Sequence, residues 1–442
     1  MGSALSVLGY QANPKTFFSS RPLNLRLLQP DTSETTSLRS LLELHCPSLS
    51  SDFRPAWCGH LQTLYAVVGD FSAVDPVVYD RRLLRIKDGG TLGLDFTPSA
   101  SDRVLPDETP IVVVLHGLTG GSYESYVRAI IGPATKPIDQ GGLGYRAVVV
   151  NFRGCAGVPL TTPQLYSSCH TDDLRQALLY ISHRYPTAPL LGLGFSLGAN
   201  ILTRYVAEEG EDCRFISACA LACPWDLTSN GEALHGNWFT RNVYAKGMGS
   251  NLKQHLSRHA DTIMKYPDSR LAQCLPELLS RKSITLVQFD DLITVHAGGT
   301  SPPFPFKNAR EYYTYAASHQ VLGDVRIPFL AVNSDDDPVV KHIPIYETDN
   351  EWVTLVVTRG GGHMGWFESK GKEIRRWIRR PVLEWLRATA EKIDVPRRVA
   401  RSIEVVDGWL VESGREHLGC KDHGEGGRIV GGMSMGGVLP GL

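Results

Sequence analysis

The fold is decided by the stretch Gly194–Gly198, whose sequence is Gly-Phe-Ser-Leu-Gly. It follows an apolar run at 189–193 and leads into residues 199–206, which have the pattern of a helix. A G-x-S-x-G between a buried strand and a helix is typical of a nucleophile elbow, a turn so tight that small residues must flank the serine. The serine Oγ then lies at the end of the sheet, above the free N–H groups of the helix N-terminus. The pattern therefore predicts that Ser196 is a nucleophile.

An acid and a histidine should follow the serine in the chain if the elbow is active. The apolar strand at 329–333 is followed by three aspartates at 335–337, and the strand at 352–358 is followed by a glycine-rich turn that carries His363. The histidine would take the serine proton, and the carboxylate would orient the imidazole and stabilise its charged form. Asp337, directly before Pro338, has the better spacing from its strand, and Asp336 is the alternative. Asp335 is predicted to lie in a solvated turn.

A third strand, at 110–115, runs into the loop His116–Ser122, whose sequence is His-Gly-Leu-Thr-Gly-Gly-Ser. In folds with this elbow, such a loop supplies one N–H group to the oxyanion, and the residue after the nucleophile supplies the other. We therefore predict an oxyanion hole formed by the backbone N–H groups of Leu118 and Leu197. His116 itself is predicted to be structural.

The remaining pattern predicts an α/β protein. A hairpin is expected at 83–87 and 91–96, and parallel strands at 111–115, 146–150 and 215–222 alternate with helical segments such as 171–185. Alternation of this kind implies a mainly parallel, doubly wound sheet. Together with the nucleophile elbow, it predicts the α/β-hydrolase fold.

The expected organisation has three parts. An N-terminal extension at 1–51 precedes a hydrolase domain at 52–392, which carries a helical lid insert at about 224–319 and ends in a closing helix at 375–390. A glycine-rich tail follows at 393–442, with its last part, from residue 424, expected to be disordered.

Composition excludes some functions. The 442 residues include 45 Lys and Arg and 46 Asp and Glu, which give a net charge of -1. A nucleic-acid-binding protein is expected to carry an excess of positive charge, so this balance argues against that function. The nine cysteines are scattered and odd in number, which indicates reduced thiols in a cytoplasmic protein. We identify neither a bilayer-spanning stretch nor a cleavable secretory signal.

Met1-Gly2-Ser3-Ala4-Leu5-Ser6 matches the N-myristoylation pattern M-G-x-x-x-[ST]. A single myristoyl chain gives only marginal, reversible membrane binding. The match is short, so it is consistent either with peripheral association with a membrane or lipid droplet through Gly2 or with chance.

Several segments together resemble the YheT-like branch of the α/β-hydrolases, which includes embryogenesis-associated and ABHD-type proteins. These segments are Pro55–Thr63, His116–Ser122, Asn151–Cys155, Gly194–Asn200, Phe289–Asp291, Asp336–Pro338 and Gly361–His363. They run from about residue 53 to the closing helix and so cover most of the chain. The family usually continues with a further proline after Asp-Pro, where this chain has Val339, and this keeps Asp336 open beside Asp337.

The resemblance implies serine-dependent acyl chemistry on lipid-like esters. The family includes medium-chain fatty acid ethyl ester synthase/esterases, monoacylglycerol lipases and phospholipid-acting members. The expected substrate is thus a short- to medium-chain acyl ester or acyl-CoA, the acceptor is water or a small alcohol, and the reaction needs no metal or organic cofactor. The alternatives are a monoacylglycerol or phospholipid lipase and, from another class, a non-catalytic, membrane-associated interaction protein with this fold.

The lid insert contains large apolar side chains that are expected to cover the serine and to favour acyl chains of several carbons, since each buried CH₂ contributes about 0.8 kcal/mol. The aromatic residues expected to do so are Trp225, Trp238, Phe239, Phe304 and Phe306.

Overall fold

A computed structural model describes residues 13–28, 34–51, 53–347, 349–370, 373–395 and 401–432. Its central sheet contains, within these residues, twelve strands in the spatial order Lys15–Phe18, Val353–Thr358, Phe329–Ser334, Ser217–Leu221, Leu190–Phe195, Ile111–Leu115, Arg146–Asn151, Thr91–Thr97, Val78–Ile86, Gly419–Val430, Trp409–Glu412 and Ile403–Val406. The six strands from Val353–Thr358 to Arg146–Asn151 are mutually parallel, which confirms the predicted α/β class.

The parallel strands are continuously apolar because helices cover both faces of the sheet. In the strand Ile111–Leu115, Val113 belongs to a core shared with the helices Asp172–Arg184 and Leu197–Glu209. Val112 points the other way, into a core shared with Ser125–Thr135 and Arg379–Glu391. Two further helices lie outside these layers, Leu38–His45 and Gly59–Val68, as do the 3-10 turns Pro47–Leu49, Ile138–Gln140, Cys155–Gly157 and Gly210–Asp212. One small sheet pairs Phe367–Lys370 with Glu373–Arg376. Another contains Ile393–Asp394, Asn24–Leu27 and Thr35–Ser37.

Between the strands Ser217–Leu221 and Phe329–Ser334 the chain forms a helical insert, as the sequence predicts. Its helical segments are Leu227–His235, Trp238–Thr240, Arg241–Ala245, Lys246–Ser257, Ala260–Ile263, Arg270–Ser280, Leu286–Phe289, Asp290–Thr294, Val295–Ala297, Ala309–Ala316 and Ser318–Asp324. The insert has apolar clusters of its own, distinct from the two cores of the sheet.

The predicted hairpin is confirmed, because Val78–Ile86 pairs antiparallel with Thr91–Thr97. The described part of the N-terminal segment is attached to the same sheet, where Lys15–Phe18 pairs antiparallel with Val353–Thr358.

The expectation of disorder from residue 424 is wrong for residues 424–432. The strand Gly419–Val430 pairs with Val78–Ile86 from Cys420 to Val430, and residues 433–442 lie outside the described residues. The pairing shifts register between Asp422 and Gly424 and again between Glu425 and Gly427. Gly424 and Gly427 have φ of +103° and +85°, values that glycine adopts at little cost. The glycine content therefore reflects irregularities within a strand.

The closing helix starts later than predicted: it begins at Arg379 and not at Arg375. Residues Glu373–Arg376 instead form a strand with Phe367–Lys370. Pro381 supplies a physical reason, since proline is tolerated only in the first turn of a helix and so requires a start shortly before it.

Within the described ranges, we find no helix that is both long and apolar enough to cross a bilayer. All nine cysteines are free thiols, and seven of them are buried.

Candidate active site

The strand Leu190–Phe195 and the helix Leu197–Glu209 are joined by Ser196 alone. Its backbone has φ +50° and ψ -119°, a strained conformation for a residue with a side chain. A Cβ atom at Gly194 would lie 2.6 Å from Ala199 Cα, and one at Gly198 would overlap the Leu115 carbonyl. Both glycines are therefore required by close backbone approach, as the elbow pattern predicts.

Ser196, His363 and Asp337 form one hydrogen-bonded chain. Ser196 Oγ lies 2.8 Å from His363 Nε2, and His363 Nδ1 lies 2.8 Å from Asp337 Oδ2. His363 and Asp337 are buried, and Ser196 is half-buried. An ionised carboxylate only accepts hydrogen bonds, so His363 Nδ1 carries the proton and Nε2 is free to accept the serine hydroxyl. This arrangement is the one that general-base activation of a serine requires.

Of the two candidate acids, Asp337 and not Asp336 contacts His363. Asp337 Oδ1 accepts the backbone N–H groups of Val339 and Val340 at 2.7 and 3.0 Å, which directs Oδ2 to the imidazole. Asp336 Oδ1 accepts the Gly362 N–H at 2.9 Å.

Asp335, predicted to be solvated, is exposed, and its Oδ1 accepts the Gly360 N–H at 2.8 Å. The aspartate loop therefore both contacts the histidine and holds the glycine turn that carries it.

The N–H groups of Leu118 and Leu197 are available to an oxyanion. No hydrogen-bond acceptor contacts either group among the residues that the structure describes. On the two sides of Leu118, Gly117 N–H donates to Tyr126 Oη at 2.9 Å and Thr119 N–H donates to Tyr166 Oη at 3.1 Å. Each neighbouring N–H group is thus already bound, and the loop leaves the Leu118 N–H free.

His116, at the start of this loop, has the structural environment that the sequence predicts. It is fully buried, its Nδ1 donates to the Gly117 carbonyl at 2.7 Å, and its Nε2 accepts the Phe152 N–H at 3.3 Å. Burial lowers the pKa of His116 to about 4, so the ring is neutral.

Glu124 is a buried carboxyl packed beside Gly120 of the same loop. Burial raises its pKa to about 7, although Arg128 and Arg376 act in the opposite direction. The folded state therefore favours the protonated carboxyl, and this contribution to the free energy of unfolding is complete below pH 4.5 and lost as the pH rises through about 7.

We expect Glu124→Gln to reduce this pH dependence, because the amide is neutral at every pH. The melting temperature of the variant relative to wild type should rise between pH 5 and pH 8, with an upper limit of about 3 kcal/mol in stability. Thermal unfolding at pH 5, 6, 7 and 8 measures this, and Glu108→Gln at an exposed site controls for the lost charge. A difference in melting temperature that is constant with pH would contradict the expectation.

A narrow cavity of about 90 Å³ begins at Ser196 and extends under the helical insert. Near the serine its wall includes Leu118, Leu197 and Val339. The insert contributes five leucines and a methionine to it, Leu227, Leu234, Met248, Leu252, Leu256 and Leu286, together with the aromatic rings of Phe289, Tyr312 and Tyr313. The cavity is therefore suited to a hydrocarbon chain whose carbonyl lies at Ser196.

The prediction that named aromatics of the insert cover the serine is wrong, since none of the five lines this cavity. Trp225 is buried and donates through Nε1 to Asn333 Oδ1, while Phe304 and Phe306 pack against Tyr312. Trp238 and Phe239 are exposed. Composition alone does not reveal which face of each helix turns toward the serine.

Three supporting residues were not predicted individually. Thr63 Oγ1 accepts the His363 N–H at 2.8 Å and donates to the Gly59 carbonyl at 2.7 Å. Thr63 lies in one of the segments that carry the family resemblance, and this was the only indication in the sequence that it supports the site. Nothing in the local sequence indicated the roles of Tyr126 and Tyr166.

Similarity to known proteins agrees with this fold. Residues 110–370 match the family model described as alpha/beta hydrolase fold. The chain is 32% identical over 374 residues to a monoacylglycerol lipase of Saccharomyces cerevisiae, covering 76% of this chain and 80% of that protein. It is 30% identical over 365 residues to phospholipase ABHD3 of Homo sapiens, covering 80% and 83% of the two chains.

A third relative is medium-chain fatty acid ethyl ester synthase/esterase 2 of Saccharomyces cerevisiae, which is 27% identical over 431 residues. The alignment covers 82% of this chain and 92% of that protein. The family model spans more than half of the sequence, and the relatives align with three quarters of it or more. The chain therefore belongs to the α/β-hydrolase family, as a hydrolase of the ABHD type.

Proposed function

We propose that the protein is a serine-dependent carboxylic ester hydrolase that acts on short- to medium-chain fatty acyl esters through an acyl-enzyme. The observation that carries the proposal is the 2.8 Å contact of Ser196 Oγ with His363 Nε2 at the mouth of an apolar cavity. Relatives named as lipases and esterases support the same class of reaction.

The reaction proceeds in two steps. Ser196 Oγ attacks the ester carbonyl as its proton passes to His363 Nε2, and Asp337 stabilises the resulting imidazolium. The oxyanion accepts the N–H groups of Leu118 and Leu197, each of which contributes about 2.7–4 kcal/mol to the transition state. His363 then gives the proton to the departing alcohol or thiol, which leaves the acyl group on Ser196.

The second step depends on the acceptor. Water regenerates the serine and releases a fatty acid, whereas a small alcohol such as ethanol yields a new ester. A relative named as an ethyl ester synthase/esterase supports the alcohol route from an acyl-CoA, and relatives named monoacylglycerol lipase and phospholipase ABHD3 support the alternative of a glycerolipid substrate. Membrane association through Gly2 stays a prediction, because residue 2 lies outside the described residues.

We expect catalytic efficiency to rise from acetyl to octanoyl esters. Each CH₂ buried in the cavity contributes about 0.8 kcal/mol, which corresponds to roughly a fourfold increase in kcat/KM until the cavity is full. A series of p-nitrophenyl esters from acetyl to palmitoyl measures this, with and without ethanol. A maximum at acetyl would contradict the medium-chain substrate, and absence of ethyl ester in the ethanol arm would restrict the reaction to hydrolysis.

A further inference from the structure

The cavity beside Ser196 shares lining residues with a second cavity. This second cavity, of about 280 Å³, lies on the outer side of the insert and is bordered by the exposed residues Glu232 and Arg310. Gly231 and Tyr313 line both cavities. These two residues therefore form the partition between the inner, serine-bearing cavity and the outer, solvent-facing one.

The partition depends on the absence of a side chain at Gly231. A Cβ atom there would lie 3.2 Å from Cε2 of the Tyr313 ring and 3.6 Å from a methyl group of Val287. The ring consequently packs directly against the backbone of the helix Leu227–His235. Tyr313 is itself only 6% exposed, so its ring is buried where the two cavities adjoin.

A buried carboxylate holds this ring in place. Tyr313 Oη donates to Asp290 Oδ2 at 2.6 Å, and Thr294 Oγ1 donates to Asp290 Oδ1 at 2.5 Å. Asp290 belongs to the π-helical turn Asp290–Thr294 and lines the inner cavity. Short hydrogen bonds to a buried carboxyl are stronger than neutral ones and resist rotation of the donor. Phe289–Asp291, one of the segments that carry the family resemblance, therefore contains the carboxyl group that holds Tyr313.

We propose that Tyr313, held by Asp290 and packed on Gly231, is the residue that sets the acyl-chain limit of this enzyme. The proposal rests on the proposed function, because it assigns the inner cavity to the acyl chain. A chain that outgrows the inner cavity meets the Tyr313 ring. If the ring is removed, the inner cavity joins the outer one, and longer chains can extend toward solvent.

The test measures kcat/KM for p-nitrophenyl octanoate and p-nitrophenyl palmitate in wild type and Tyr313→Ala. We expect the palmitate-to-octanoate ratio to rise at least tenfold in Tyr313→Ala. The ratio does not depend on the fraction of active protein, so a loss of stability does not imitate the result. Tyr313→Leu, which keeps more of the packing, serves the same purpose if the alanine variant does not fold.

Two further variants distinguish a passage from a general disturbance. Tyr315→Ala removes a half-exposed ring from the same helix that lines neither cavity, and should leave the ratio unchanged. Gly231→Leu combined with Tyr313→Ala refills the passage from the opposite wall and should return the ratio toward wild type. An unchanged ratio in both Tyr313→Ala and Tyr313→Leu would overturn the proposal while esterase activity stands, whereas absence of wild-type hydrolysis on every ester would instead overturn the proposed function.

Discussion

Ser196→Ala should lower kcat for p-nitrophenyl octanoate by roughly ten-thousand-fold or more, because no other group replaces the attacking oxygen. The substitution removes one half-buried oxygen and keeps the backbone, so the melting temperature should stay close to that of wild type. Steady-state hydrolysis and thermal unfolding of the purified variant measure the two quantities. Residual activity above a few per cent would contradict the assignment of Ser196 as the nucleophile.

A fluorophosphonate probe separates the enzyme from a non-catalytic interaction protein with the same fold. The probe reacts with serines activated by a neighbouring base, so wild type should be labelled, and mass spectrometry should locate the adduct on Ser196. Ser196→Ala supplies the matched control, since every other serine is retained. Absence of labelling and of hydrolysis in wild type would favour the interaction protein.

Asp337→Asn is expected to lower kcat by about a thousand- to ten-thousand-fold, the size seen when a triad histidine is left in the wrong tautomer. The N–H groups of Val339 and Val340 both point at Oδ1, so the asparagine must keep its oxygen there. Its NH₂ group then faces His363 and donates to Nδ1. The imidazole proton moves to Nε2, which can no longer accept the proton of Ser196.

Asp336→Asn is the matched control for this prediction. Asp336 accepts the Gly362 N–H and the Ser334 hydroxyl through Oδ1, and an asparagine retains that acceptor. We therefore expect a loss of activity of about tenfold or less, from small displacement of the histidine loop. Measured kcat values in which Asp336→Asn is the more damaging change would reverse the assignment of the two aspartates.

The local sequence was sufficient for features that depend on neighbouring residues. The elbow at Ser196 was predictable because the G-x-S-x-G motif is itself local, and Gly194 makes its close backbone contacts with Gly198 and Ala199. The parallel strands were predictable because burial on both faces demands a continuous apolar run. The glycine-rich tail was wrongly predicted to be disordered because its strand is stabilised by pairing with Val78–Ile86, which is far away in the chain.

Only the tertiary structure decided which of several suitable residues meet. The choice between Asp336 and Asp337 depends on which carboxylate the turn directs at His363, and one residue of displacement exchanges a contact with Gly362 for one with the imidazole. Tyr126 and Tyr166, which orient the Leu118 loop, come from helices and loops with no motif of their own.

The acyl cavity shows the same division between sequence and structure. The sequence by itself determined an apolar insert between the elbow and the acid, because its composition and position are local properties. Whether a given aromatic covers the serine depends on how the helices pack, and here Trp225 turns into the core while Tyr313 turns toward the cavity. The chemistry of the site could thus be predicted from short motifs, whereas the shape of the cavity depends on the packing of side chains that are far apart in the sequence.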